Sequence, residues 1–365
     1  MSAHIKWYNA EAEYVHRLAR GLAKKGHYVL LWGRKGSPLM EAAEKDGIET
    51  VDFGDPVSYN PAVMLSTADE LTKTIKQRGI EIVNAHRSEG FPLVARASKR
   101  AGAKVVRTRA DMRMPKLAWL NGLIYGNLAD LVITSNDLLA RELRRRLGLS
   151  ESFVKTIRMG IDPAQAAPSV KKEEAKEKLG LSSSTSVVAI MGRLGPVKGQ
   201  EFVLRAAPDV IKEFPGTKFL VIYRDVEESD KFLPELERSE VKDDFVLVGP
   251  SETHREKMAA ADVAVIPSVG SEAHCRVALE WMALSVPVVG SRVGVIPELI
   301  EHGDTGFLVQ PRYSSTFGQC IKVLLGDPDR ASLMGEAGRE KLVSEFSEER
   351  MVEENEKAMQ SLLDN

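Results

Sequence analysis

Two cysteines in 365 residues, Cys275 and Cys320, are too few for a disulfide framework, and the scarcity fits a reducing, cytoplasmic setting. No run of about 18 uncharged apolar residues occurs, so no membrane-spanning helix is expected. The opening stretch, MSAHIKWYNAEAEY, carries no apolar core of the kind a signal peptide needs. No recognised nucleic-acid module is present. With 43% hydrophobic and 28% charged residues, the composition is that of a soluble globular protein, and the length suits two domains.

Net charge is only −2, but it hides an asymmetry. Residues 1–168 hold 26 Lys and Arg against 18 Asp and Glu, and the remainder 24 against 34. A basic N-terminal half fits an anionic acceptor or the surface of an anionic membrane. The plainer alternative is a solvated charged face.

Strand and helix signals alternate along the whole chain. Apolar positions at helical spacing (Tyr14, Val15, Leu18, Ala19, Leu22) predict a helix over 10–25 that stops at Gly26, followed by a strand over 28–32. The pattern continues as helix 61–79 and strand 80–84, helix 92–101 and strand 104–108, and helix 115–129 and strand 131–134. Such alternation indicates a parallel, doubly wound sheet. A domain of that kind begins with a strand at the middle of its sheet, yet only about eight residues precede the first helix. Either residues 3–7 form a shortened strand or the reading frame has lost residues upstream; a truncated or short first strand is expected.

Residues 163–184 combine two prolines, a charge run and a serine run around one amphipathic helix, which marks a domain junction. A second α/β series follows: strand 186–191, helix 201–212, strands 218–223 and 244–248, helix 252–260, strand 263–267, a helix, and strand 286–289. Residues 303–309 and two terminal helices close the chain, the last over about 348–363. The expected domains are therefore 1–168 and 169–345, with 346–365 as a final helix.

The chemistry gathers in 262–290. The strand over 263–267 runs into a loop holding Glu272, then into a helix where Glu280 is flanked by Val277, Ala278, Leu279, Trp281, Met282 and Ala283. A carboxylate on so apolar a helix is at least partly buried and needs donors, which a ribose diol would supply. The backbone N–H groups of Ala273, His274, Cys275 and Arg276, at the positive end of that helix, suit a phosphate. The plainer alternative makes Glu272 a solvated acid and pairs Glu280 with a neighbouring Arg. Upstream, the loop Gly192-Arg193-Leu194-Gly195-Pro196-Val197-Lys198-Gly199 lies between a predicted strand and a predicted helix. Its glycines let backbone approach a diphosphate, and Arg193 and Lys198 supply two positive charges. It is neither a Walker loop nor the dinucleotide fingerprint.

Other motifs read as structure. His274 and Cys275 are sequence neighbours at a helix start, so they do not face each other as base and nucleophile. Asp327-Pro328-Asp329 spells a metal-binding D-x-D, but it follows Gly326 where an N-capping Asp belongs. His86 follows a strand end, where either a structural or an acceptor role fits.

Taken together, Glu272 and Glu280 with seven residues between them, after an apolar strand and Pro267-Ser268, with Pro287-Val288-Val289, Gly294, Pro297-Glu298, Gly303 and Gly306 beyond, resemble the donor site of the family-four GT-B glycosyltransferases. The resemblance implies two Rossmann-like, doubly wound parallel-sheet domains facing a cleft, with the last helix crossing back to the first domain. It implies a nucleotide-diphosphate-sugar donor (UDP-, GDP- or ADP-sugar), no metal, and transfer with retention to a hydroxyl of a glycan or glycolipid, of lipopolysaccharide or cell-surface polysaccharide type. By the same resemblance Arg193 and Lys198 neutralise the donor diphosphate, Glu272 faces the donor sugar and Glu280 holds the ribose. Gly192, Gly249, Ser251 and the 273–276 backbone complete the donor contacts.

The N-terminal half resembles the family in layout only. Asn9-Ala10 stands where the family has Gly-Gly, Arg109-Ala110-Asp111 where it has a histidine, and Ala273-His274 where Gly-Phe is common. Acceptor-side candidates are Asn9, His86, Arg107, Arg109, Asp111 and Arg113, the arginines belonging to a basic run from Arg96 to Lys116. Peripheral attachment to the inner face of the cytoplasmic membrane is compatible with that run. Two rival readings stay open: a nucleotide-sugar epimerase on the same fold, and a partner protein that keeps donor binding after losing activity.

Overall fold

The computed structural model describes residues 1–5, 8–113, 118–166, 170–250, 254–270 and 272–364. Lys6 and Trp7, the helix start at 115–117 with Lys116, junction residues 167–169, Ser251, and the helix start at 252–253 lie outside the described residues. The chain divides into two compact units, Met1–Gly160 with Glu348–Asn365, and Ile161–Ser347.

The N-terminal unit contains α1 (Ala10–Lys24), β1 (Leu30–Trp32), α2 (Pro38–Lys45), β2 (Glu49–Val51), α3 (Pro61–Arg78), β3 (Ile82–Ala85), α4 (Phe91–Ala101), β4 (Lys104–Arg109), α5 (Ala118–Leu128), β5 (Leu131–Thr134), α6 (Asp137–Leu147) and β6 (Val154–Thr156). The C-terminal unit contains α7 (Pro163–Ala166), α8 (Lys172–Lys178), β7 (Val187–Met191), α9 (Gln200–Glu213), β8 (Lys218–Ile222), α10 (Phe232–Leu236), β9 (Phe245–Val248), α11 (His254–Met258), β10 (Val263–Ile266), α12 (Arg276–Ala283), β11 (Val288–Ser291), α13 (Ile296–Leu299), β12 (Gly306–Val309), α14 (Ser314–Gly326) and α15 (Pro328–Glu345). Helix α16 (Glu348–Gln360) then returns to the N-terminal unit.

All strand pairs of the C-terminal unit are parallel, in the order β12-β11-β10-β7-β8-β9. Helices on both faces bury the apolar strands, with Val188, Ile190, Val203, Phe219, Val265 and Phe317 in one core. Three helices follow β12, which corrects the two expected; the extra stop comes from Asp327, whose side chain accepts a hydrogen bond from Arg330 N at 3.0 Å and caps α15.

The N-terminal sheet is in two pieces, β1-β2 and β3-β4-β5-β6, all parallel. Ser2 bridges them, pairing with Trp32 on one side and Ala85 on the other. Helix α1 starts at Asn9, whose side chain accepts from Ala12 N at 2.9 Å, and it buries Val15, Leu18 and Ala19. Its partner α16 is fixed by charge: Arg17 bonds Glu13 at 2.7 Å and Glu348 at 2.5 Å, and Arg20 bonds Glu348 at 2.6 Å. Tyr14 and Asn355 hydrogen-bond each other in the same buried seam.

Candidate functional site

Strand β7 lies in the middle of its sheet, between β8 and β10. The chain leaves β7 toward β8, while β10 belongs to the other half of the sheet, so the connections diverge here. Beyond the carboxyl ends of strands at such a point, an open sheet offers a ligand crevice. The loops after β7 and β10 carry the residues that the sequence singles out.

Close backbone contact locks the two loops together. Val269 N donates to Val197 O at 2.9 Å. Gly199 has φ +72, and a Cβ there would lie 2.2 Å from Pro267 O, so only glycine fits. Gln200, buried at the start of α9, donates to Arg193 O at 2.8 Å. Leu194 exchanges backbone bonds with Asp225 and Glu227 at 2.9 Å each, which ties the loop to the segment after β8.

At the centre Lys198 Nζ lies 2.5 Å from Glu272 Oε1, and Ser268 Oγ donates to the same oxygen at 2.6 Å. Glu272 is 4% exposed, so it is a buried, paired acid, not a solvated one. A third loop holds its backbone: Val295 N donates to Glu272 O at 2.9 Å, and a Cβ on Gly294 (φ +55) would lie 1.9 Å from that carbonyl. Burial opposes the charge on Lys198, but the Glu272 carboxylate outweighs it and holds the amine above its usual range. Arg193 is half exposed and pairs with Glu227 at 2.8 Å; its charge also acts on Lys198.

Cys275 precedes α12 in the left-handed region, with φ +44. Burial, and then the Glu272 carboxylate, push its thiol well above the ordinary range, so it is a poor nucleophile. Its neighbour His274 is buried. Glu280 is buried on α12, and Arg276 Nε lies 3.4 Å from its Oε1, the pairing that the plainer sequence reading allowed. Gly192 follows β7 directly and donates to Ile222 O at 3.0 Å. Gly249 follows β9, with Tyr223 Oη 3.8 Å from where its Cβ would be.

The acceptor-side candidates are less available. Asn9 is committed to its helix cap. His86 is buried, with its ring centroid 6.1 Å from that of Tyr14. Arg107 is buried and donates to Ala85 O, Thr108 O and Ser88 Oγ. Arg109 is buried and donates to Tyr125 Oη, Asp111 O and Arg113 O. These two arginines therefore do not present open cations, which corrects the expectation for them: strand ends buried on both faces turn a guanidinium onto nearby carbonyls. Arg113 is exposed and pairs with Asp111 at 2.9 Å. Burial alone would raise the Asp111 carboxyl, but its bonds to Arg113 leave it below its usual range.

Sequence reasoning missed Ser268, Glu227 and Gln200 as supports, and Glu11 on the first turn of α1. Glu11 approaches Arg87 at 3.4 Å, and burial, ahead of the opposing charges of Arg87 and Arg107, raises its carboxyl. Only the Pro-Ser before Glu272 offered a sequence signal for any of them. Among the described residues, no group of three His, Cys, Asp or Glu side chains is gathered as a metal would need, and no helix is long and apolar enough to cross a membrane.

Residues 185–327 match the family model described as Glycosyl transferases group 1, and residues 12–165 match that of Glycosyltransferase Family 4. A crystal structure of a glycosyltransferase from Rickettsia africae ESF-5 superposes with a TM-score of 0.88 over 100% of this chain and 98% of that one, at 19% identity. The chain has the GT-B glycosyltransferase fold. Among other GT-B structures, Anabaena Alr3699/HepE in complex with UDP gives a TM-score of 0.87 over 99% of this chain and 98% of that one, at 19% identity. In sequence, D-inositol 3-phosphate glycosyltransferase 2 of Catenulispora acidiphila is 31% identical over 55% of this chain and 49% of its own length. The chain thus spans about half the length of such curated relatives. Spore coat protein SA of Bacillus subtilis is 26% identical over 81% of this chain and 79% of its own.

Proposed function

We propose that the protein is a glycosyltransferase that moves a sugar from a nucleotide-diphosphate-sugar donor to a hydroxyl of a glycan or glycolipid acceptor. The observation that carries this reading is the pairing of Lys198 with the buried Glu272 at the switch point of the C-terminal sheet. In the reaction the bond between the anomeric carbon and the diphosphate oxygen breaks, and charge builds on the leaving phosphate. On this reading Lys198, Arg193 and the backbone N–H groups at the start of α12 would meet that charge, with no metal called for. Donor binding would place phosphate against Lys198 and sugar hydroxyls against Glu272, replacing one ion pair by two ligand contacts. Glu280, steadied by Arg276, would take the ribose diol. Retention fits a leaving phosphate that accepts the proton of the incoming hydroxyl.

A lipid-linked or cell-surface acceptor fits the exposed face of α5, where Trp119 and Leu123 are 69% and 54% exposed and no charged side chain intervenes. Arg113, 87% exposed, precedes it. This suits peripheral contact with an anionic membrane. The second reading, a donor-binding partner with weakened catalysis, is favoured by Asn9, Arg107 and Arg109 being spent on caps and carbonyls.

Release of nucleoside diphosphate from UDP-, GDP- and ADP-sugars, with and without glycan acceptors, tests the proposal. Lys198→Ala and Glu272→Ala should each lower turnover by about a hundredfold. A near-normal rate in either removes the site assignment, and tight nucleotide binding without turnover selects the second reading.

A further inference from the structure

Arg193 is half exposed, yet its surroundings fix it at three points. Gln200, buried at the first position of α9, donates from Nε2 to the Arg193 carbonyl at 2.8 Å. The next residue, Leu194, accepts from Glu227 N and donates to Asp225 O at 2.9 Å each, a short ladder that lays the loop after β7 beside the segment after β8. From that segment the Glu227 side chain reaches back, and its Oε1 lies 2.8 Å from Arg193 Nε. The Glu227 carboxylate is itself confined. Gly195 lies outside the left-handed region, so its backbone is one that other residues could adopt. A Cβ there, however, would lie 2.6 Å from both Cδ and Oε2 of Glu227, and its three nearest atoms all belong to that side chain. What a glycine supplies at 195 is room for this carboxylate.

We infer that Glu227 is a positioning residue of the donor site: it holds the Arg193 guanidinium so that its outer edge meets the diphosphate. The contact runs through Nε, the nitrogen nearest the stem. That leaves the edge with the two terminal nitrogens, which can grip a phosphate by two parallel bonds. An untethered, half-exposed arginine gives up its rotamer freedom when an anion binds; a tethered one has lost it beforehand, so more of the contact appears as affinity. By charge alone, a carboxylate beside an anion site weakens anion binding, so competition and positioning predict effects of opposite sign. Confinement against Gly195 favours positioning, because a carboxylate that merely competed for Arg193 would have to swing away as the diphosphate arrived. Arg193 meets a diphosphate only under the proposed function, and the role of Glu227 rests on that reading.

Calorimetric titration with UDP, GDP and ADP compares the natural protein with Glu227→Ala and Glu227→Gln, each also in an Arg193→Ala background. Glu227→Ala should weaken the best-binding diphosphate by about fivefold or more, although it removes a negative charge. Glu227→Gln keeps an acceptor at the same place and should restore affinity to within about twofold of the natural protein; with Arg193→Ala already present, neither substitution should matter by more than that. Gly195→Ala, which pushes the carboxylate aside while its charge stays, should also weaken binding, and should add nothing to Glu227→Ala. Unchanged or tighter binding in Glu227→Ala would overturn the inference, and so would equal losses in the Ala and Gln variants or equal losses with and without Arg193. Binding of none of the three diphosphates by the natural protein removes the proposed function and this role with it; binding that the Glu227 variants leave untouched removes the role alone.

Discussion

Gly199→Ala puts the geometry of the donor loop to a quantitative test. Residue 199 has φ +72, where an L side chain costs about 1–2 kcal/mol. The added Cβ also lies 2.2 Å from Pro267 O, a backbone atom of the neighbouring loop that cannot swing aside. Moving the loops apart should add about 1–3 kcal/mol, the usual cost of overpacking. Gly180 provides the control: its φ is +73 and nothing lies within 4 Å of its Cβ position. Gly180→Ala should therefore show the conformational cost alone. Urea midpoints of the two variants give the difference, and nucleotide titration gives the consequence, since displacing 199 also moves Lys198. Equal destabilisation of both variants, with unchanged nucleotide affinity in Gly199→Ala, would refute the argument that the two loops are locked by that contact.

Further expectations follow from the ion pairs. Glu348→Ala strips both Arg17 and Arg20 of a partner that is 13% exposed, and should destabilise the N-terminal unit by about 3–5 kcal/mol; a change within about 0.5 kcal/mol would show that α16 is held by its apolar contacts alone. Because the Lys198 amine is raised above its unfolded value near 10.5, its contribution to stability is complete below that pH and lost as pH rises through the higher folded value. Melting temperatures from pH 9 to 12 should fall more steeply for the natural protein than for Lys198→Met, and parallel curves would contradict the pairing.

Much of the C-terminal unit was legible because its signals are local. Gly199 between a strand and a helix, a carboxylate at Glu280 amid apolar neighbours, and Asp327 before Pro328 each announce their surroundings within a few residues. What could not be read is long-range. Lys198 and Glu272 are 74 residues apart, and the register of two separate loops alone makes them partners. Gly294 matters because it touches the carbonyl of Glu272, which no spacing reveals. The three-residue strands β1 and β2 are too short to show a period, and α2 and β2 went unforeseen. Arg107 and Arg109 looked like open cations because their sequence records charge and not direction; burial turned them onto carbonyls.

Calorimetric titration of the protein with UDP, GDP and ADP tests the central claim most directly. At least one diphosphate should bind, with affinity falling as salt is raised, and Lys198→Ala should weaken it tenfold or more. Binding of none of the three, or equal affinity in the natural protein and Lys198→Ala, would contradict the assignment of this crevice to an activated sugar.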